Sequence, residues 1–416
     1  MDAINGADTA WVLVSCALVL LMTPGLALFY GGMVNSRNVL STFMHSFIAL
    51  GVMTIQWVVI GYSLAFAPDI GGGLLGGLDH LMLNGVAHDQ VRDGTTIPHI
   101  LFMAFQMMFA IITPALISGA IAERMRFRSY LVFIVAWATL VYDPLCHWVW
   151  GPDGWLGARG ALDFAGGTVV HLSSGAGALV AAIVVGKRKR PSPPHNLTMT
   201  LTGAGLLWFG WFGFNAGSAL TSGGAASLAL VNTHIAAGAA ACSWVLAERI
   251  KHGRATALGV ASGLVAGLVV ITPAAGFVTP SSALIMGLIA GPVCYGAVLM
   301  KNRFGYDDAL DAFGVHGVGG FLGAVLTGVF AVAALTPSGE SAGLLAGGTE
   351  LFIENVLGVV VAAVYSGVVT FVVLKVIEKT MGLRVEEEQE FEGLDTALHG
   401  EKGYLFGGAG AMATEE

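Results

Sequence analysis

Charge is what this sequence has least of. Asp, Glu, Lys and Arg make up 11% of its 416 residues, against roughly 25% in ordinary soluble domains. That excludes a soluble globular protein and a charge-rich disordered chain. Positive charge is the scarcer sign: 19 Lys and Arg face 27 Asp and Glu, a net charge of −8. No nucleic acid or other polyanion is therefore expected as a partner. Cysteine is limited to Cys16, Cys146, Cys242 and Cys294, far apart and without CxxC or metal spacing. They read as small buried hydrophobes, and neither a disulfide framework nor a metal site is expected. No cofactor is implied. The first ten residues hold two Asp and no Lys or Arg, so no cleavable signal is expected.

What is present is apolar length and glycine. Hydrophobic residues reach 55%, and Gly numbers 59. A membrane-crossing helix needs about 20 mostly apolar residues. Eleven such segments are predicted, at 9–31, 40–67, 97–122, 129–149, 163–186, 197–220, 227–248, 256–276, 281–300, 311–335 and 350–378. The ninth is the weakest, because Gly291-Pro292 interrupts it. Small residues let helices approach without lipid between them, which accounts for most of the glycine.

The basic residues test this division. With the N-terminus outside, 17 of the 19 fall on cytoplasmic pieces, leaving only Arg92 and Arg159 outside. The positive-inside bias thus supports an odd number of spans, N-out and C-in. The sequon at Asn196 falls on the cytoplasmic side and is read as chance. The Gly-rich loop 68–96, with Asp69, Asp79, Asp89 and Asp93, lies outside. Residues 1–380 read as one multi-pass membrane domain. Residues 381–416 read as a cytoplasmic tail, with nine acidic and two basic residues. No fused signalling domain is expected, and residues 405–416 read as unstructured.

An ionisable residue at a helix centre costs about 2.5–3.5 kcal/mol on insertion scales, so such residues are functional candidates. His171 sits in the fifth span behind Asp163, and His316 in the tenth behind Asp311. The two segments are five spans apart. This suggests two five-helix halves, the second inverted, with a pathway at their interface. The alternative is two unrelated histidines, each bonded to a carbonyl. Asp143 and His147, four apart near the outer end of the fourth span, read as a structural pair. His45, His99 and His234 lie near span ends, within reach of water, and receive no role.

Aromatics give the second signal. Phe105 and Phe109 share a helix face. The stretch 211–218 (WFGFNAGS) sets rings beside small residues at the outer end of the sixth span. Trp148, Trp155 and Trp208 read as interfacial belt residues.

Several stretches resemble the Amt/Mep/Rh family, specifically the prokaryotic Amt ammonium transporters. They are 22–32 (MTPGLALFYGG), 122–126 (AERMR), 161–171 (ALDFAGGTVVH), 210–218 (GWFGFNAGS), 311–317 (DAFGVHG), and the tail from 382–385 (GLRV) to 392–395 (EGLD). The resemblance implies an all-α fold of eleven transmembrane helices. Two inverted five-helix pseudo-repeats would be followed by a long final helix, in a homotrimer with one pore per subunit. It implies that Trp150, Phe105 and Ser218 recruit ammonium or methylammonium, with Asp163 in support. Phe109 and Phe214 would form a gate, and His171 and His316 a twin-histidine proton relay. It also implies a cytoplasmic PII signal protein (GlnK-like) docking at the tail, and a cell (inner) membrane location.

The chemistry suits that implication. Each aromatic face attracts a cation by about 0.5–2 kcal/mol, and a hydroxyl accepts a proton from the ion. Carrying the bare ion through an apolar pore would cost tens of kcal/mol. Deprotonation is the cheaper route, and desolvated, neutral imidazoles both donate and accept. The expectation is an electrogenic transporter in which ammonia and the proton travel separately. The rival readings are an ammonium sensor with little flux and an electroneutral ammonia channel. An enzyme is not expected, because no nucleophile or metal cluster is found.

Overall fold

A computed structural model describes residues 4–405. Its architecture is a bundle of eleven apolar helices, of which ten are long enough to cross a membrane. They are α1 (Gly6–Met33), α2 (Val39–Phe66), α3 (His99–Ile121), α4 (Phe127–Ala158), α5 (Gly167–Val185), α6 (Leu197–Gly217), α7 (Gly224–His252), α8 (Ala257–Ile271), α9 (Pro280–Phe304), α10 (Phe313–Phe330) and α11 (Glu350–Met381). Two short tail helices follow, α12 (Glu387–Glu392) and α13 (Leu394–His399).

The weak span is the eighth, not the ninth. Helix α9 runs unbroken through Pro292. Helix α8 is only 15 residues long. Its successor is Thr272-Pro273, and a proline cannot continue the hydrogen-bond ladder. The freed turn stays buried because Asn232 Nδ2 donates to the Ala275 and Val278 carbonyls, both at 2.8 Å. Pro273 lies against Gly167, where an added Cβ would come within 2.4 Å of its ring. The short helix therefore makes room for the start of α5.

The interior is built on α5 and α10, which cross with their backbones in contact. A Cβ on Gly175 would lie 2.1 Å from Gly317 Cα, and a Cβ on Gly320 would lie 2.5 Å from the Gly167 carbonyl. Gly175 follows His171 by four residues, and Gly320 follows His316 by four. The crossing thus has the same form read from either helix, as an inverted repeat requires. Both helices begin with a π-helical turn, Gly167–Leu172 and Phe313–Gly317, and each turn carries its histidine.

Several sequence expectations are corrected here. Asp143 and His147 do not pair. Asp143 accepts from Gln56 Nε2 at 2.7 Å. His147 bonds the Ala65 carbonyl at 2.9 Å and Asp69 at 3.2 Å, tying down the outer loop. Trp148 is buried beneath that loop, with its Nε1–H donating to the Leu74 carbonyl at 2.7 Å, so it is no belt residue. His45 does not reach water. It is 1% exposed and lies against Tyr130, with ring centroids 4.4 Å apart. Cys242 is exposed, whereas Cys146 and Cys294 are buried.

The tail lies along the loops that follow α1 and α3 of its own chain. Asn38 accepts from the Leu394 amide at 2.7 Å, and Asp395 accepts from the Ser41 amide at 2.8 Å. Arg384 pairs with Glu390 at 2.6 Å, and Arg126 with Glu386 at 2.5 Å. The acidic residues are thus partly spent on folding the segment back. The expectation of an unstructured end falls almost wholly on residues outside those described.

The crossing gives a direct test. Gly175→Ala is expected to destabilise the purified protein by about 1–3 kcal/mol, the usual cost of overpacking. Gly205→Ala, whose Cβ would meet nothing within 4 Å, is the control. A thermal melt should separate the two. Equal melting temperatures would contradict the close crossing.

Candidate functional site

The site is a column running from an outer cavity to the helix crossing. The cavity holds about 340 Å³ and is lined by Trp150, Ser218, Phe109, Phe164 and Gln106 among others. Trp150 ends the regular part of α4 and is fixed by its indole N–H, which donates to the Asp163 carbonyl at 2.8 Å. Ser218 caps α6, and its hydroxyl donates to the Phe214 carbonyl at 2.8 Å. That leaves the oxygen lone pairs free to accept from a ligand.

Asp163 lines no part of that cavity. Its carboxylate accepts four backbone N–H bonds, from Gly166 and Gly167 to one oxygen and Thr168 and Val169 to the other, at 2.7–3.1 Å. These are the orphan donors that begin any helix. Gly166 makes the turn possible with φ of 113°. Burial pushes the Asp163 carboxyl above its ordinary value, and the four N–H bonds oppose that shift. A carboxylate cup at the start of α5 thus fixes the turn that carries His171.

The second half repeats this cup with a different residue from the one expected. Asp308, not Asp311, accepts from the Ala312 and Phe313 amides, at 3.1 and 2.8 Å. Asp308 precedes His316 by eight residues, as Asp163 precedes His171. Asp311 has a left-handed backbone, φ 63°, and pairs with Lys301. Burial and the neighbouring Asp311 push the Asp308 carboxyl up, while Lys301 opposes. The sequence signal that would have found Asp308 is the equal spacing to histidine.

Below the cavity, Phe109 and Phe214 lie with centroids 4.3 Å apart and 33° between planes, closing the column. Phe105 stands behind Phe109, edge to face at 5.0 Å, and is fully buried. Its ring also lies against Gly217, next to Ser218, where an added Cβ would come within 2.9 Å of it. Beneath Phe214, His171 and His316 meet with Nδ1 atoms 3.2 Å apart. One Nδ1 must donate and the other accept, so the neutral rings hold opposite tautomers. His171 Nε2 has no protein partner. The two imidazoles border a small space of about 10 Å³ whose walls include Met22, Leu26, Leu207, Trp211 and Val265. That is room for about one water. Trp211 stacks on His171 at 5.3 Å and is held by a bond to Thr272 at 2.9 Å. Among the described residues no group of three metal-ligating side chains occurs.

A family model described as Ammonium Transporter Family matches residues 10–404. The chain belongs to that family. An ammonium transporter of Bacillus subtilis is 54% identical over 400 residues, covering 95% of this chain and 98% of the relative. The crystal structure of Saccharomyces cerevisiae Mep2 superposes with a TM-score of 0.86 at 36% identity, covering 92% of this chain and 88% of Mep2. A solved Sensor Amt Protein gives 0.86 at 31%, covering 94% and 98%.

Membership of the Ammonium Transporter Family, with the apolar helices, makes this a multi-pass protein of the cell membrane and a transporter or channel. Sequence reasoning assigned three of the twelve residues of the cavity wall and missed the rest, among them Gln106, Phe164, Phe66 and Phe102. Gln106 and Phe102 lie on α3 beside Phe105 and had a readable signal, since 102, 105, 106 and 109 share one helical face. Phe66 is the last residue of α2 and Phe164 lies in the irregular segment before α5, where periodicity says little.

The carboxylate cup predicts a stability effect. Asp163→Ala would leave four buried donors without an acceptor, each costing about 1–3 kcal/mol. Asp163→Asn keeps one acceptor oxygen and should lose less. Melting temperatures in the order wild type, Asn, Ala are expected. An Ala variant as stable as wild type would remove the cup from the account.

Proposed function

We propose that this ammonium transporter collects the ammonium ion in the outer cavity and strips its proton there. Neutral ammonia then passes Phe109 and Phe214 and follows His171 and His316. The observation that carries this reading is the histidine pair, with Nδ1 atoms 3.2 Å apart in an otherwise apolar space of about 10 Å³. Such a space cannot hydrate an ion, and an unhydrated charge in low dielectric costs tens of kcal/mol. Ammonia needs only a hydrogen-bond partner, which the free Nε2 of His171 supplies.

The outer cavity does the opposite work. Trp150, Phe109 and Phe164 offer ring faces to a cation. The Ser218 oxygen and the Gln106 side chain supply acceptors. Phe105 supports the ring of Phe109. The proton leaves the bound ion for water at the cavity mouth and crosses separately, through transient water and the histidine pair. Net charge therefore moves with each ammonia. K⁺ has no proton to give up and stops at the rings.

The sensor reading shares the same cavity but needs a pathway that does not conduct. The complete histidine pair favours transport. The docked tail suits a regulated transporter. We read residues 381–404 as the surface a PII signal protein meets, and the active form as a homotrimer.

Ammonium jumps applied to proteoliposomes on a solid-supported membrane are expected to give saturating current, with none for K⁺. Ammonia flux without current would instead establish an electroneutral channel, and binding without either would establish a sensor. His171→Asp and His316→Glu each place a fixed charge in the narrow space. Either is expected to admit K⁺ current at least tenfold above wild type. Unchanged ammonium-over-K⁺ selectivity in both would contradict separate passage of ammonia and proton.

A further inference from the structure

Arg92 is one of two basic residues on the outer side, and nothing above gives it work. Its guanidinium carbon lies 4.0 Å from the centroid of Phe102 and 5.4 Å from that of Phe66. It lines the same cavity as Trp150 and Ser218, and also the wider vestibule outside it. Among the described residues no carboxylate forms an ion pair with it, although it donates to the Asp93 carbonyl at 3.3 Å. A positive charge thus stands in the wall of a cavity that has to hold a cation.

Resting on the recruitment reading above, we propose that Arg92 is a specificity- and turnover-determining residue. It weakens binding of the ammonium ion and promotes loss of its proton. The guanidinium occupies the faces of Phe102 and Phe66, so these two rings of the cavity wall cannot hold the ion. A cation is then left to the other wall of the cavity, at Trp150 and Ser218. There the fixed positive charge disfavours the ion relative to ammonia. An N–H bond of ammonium breaks, its electron pair stays on nitrogen, and the proton bonds to a water oxygen at the mouth.

Carboxylates stand nearby: Asp93 shares the cavity, and Asp79 and Asp153 edge the vestibule. All three are exposed, while Arg92 is partly buried against the rings. Exposed charges are screened by water and salt far more than partly buried ones. The carboxylates therefore draw cations toward the mouth, and Arg92 dominates inside it. A cavity of about 340 Å³ is roughly 9 Å across. A like charge at that separation shifts an equilibrium by roughly 2- to 20-fold, depending on the effective dielectric.

The test is ammonium-evoked current in proteoliposomes of the full chain at low and high ionic strength. Arg92→Gln is expected to lower the half-saturating ammonium concentration several-fold at low salt and to lower the maximal current. Arg92→Lys should restore most of both. The difference should shrink at high salt, where the Debye length falls below the cavity width. A packing role for Arg92 would not move the two parameters together in this way. Should Arg92→Gln fail to fold, Arg92→Met keeps the contact with Phe102 and removes the charge. Unchanged half-saturation in the neutral variant overturns the proposal, as does a Lys variant that behaves like Gln. Trp150→Ala is run alongside. If it leaves half-saturation unchanged, the recruitment reading fails. If it weakens binding while the neutral Arg92 variant matches wild type, only the role of Arg92 fails.

Discussion

Backbone contact between two crossing helices is the constraint on which everything else rests. Helices α5 and α10 touch at Gly175 against Gly317 and at Gly320 against the Gly167 carbonyl. Any side chain at these points would push the helices apart. The imidazoles carried beside them would then separate beyond hydrogen-bond distance. The crossing also dictates how each helix begins. With the chain entering at such close quarters, the first turns are π-helical, and their amides need acceptors. Asp163 supplies them on one side and Asp308 on the other. Histidine pair, carboxylate cups and glycine contacts are thus one arrangement, repeated by the inversion that relates the two halves.

The fold was largely legible because membrane insertion leaves a one-dimensional record. Apolar length and the side of each basic residue follow from the bilayer, so the eleven segments and their orientation could be read without any contact. The twin histidines were legible for the same reason, as ionisable residues out of place. What sequence could not supply was pairing in three dimensions. Asp143 and His147 sit one helical turn apart, yet each finds a partner elsewhere, Gln56 and Asp69. Asp311 sat closer to its histidine than Asp308 does, but its left-handed backbone turns it to Lys301. In each case proximity along the chain was outweighed by tertiary packing. Phe105 shares its helical face with Phe109, and its ring packs on that of Phe109 and against Gly217. Hydropathy alone also misjudged α8 and α9. Pro292 is absorbed within a long helix, whereas Pro273 ends one, because only at Pro273 does Asn232 satisfy the carbonyls of the turn that follows.

Charge is spent at the ends of the molecule. Outside, His147 and Asp69 pin the loop over the mouth. Inside, the Arg188 guanidinium bridges Glu123 and Asp307, at 2.8 and 2.9 Å. The buried Arg124 donates to four backbone carbonyls, among them Gly186 at 2.7 Å and Asp307 at 2.6 Å. The tail adds to this layer: Val385 donates to the Arg124 carbonyl at 3.0 Å. This rim and the tail therefore share hydrogen bonds, and a displaced tail would disturb the loops that end α3 and α5.

The space beside the histidines has a consequence for the whole cell. With room for about one water, walls that offer almost no hydrogen bonds, and two rings closing it from above, it is a poor conduit for bulk solvent. Many copies can sit in a membrane without making it leaky to osmotic swelling.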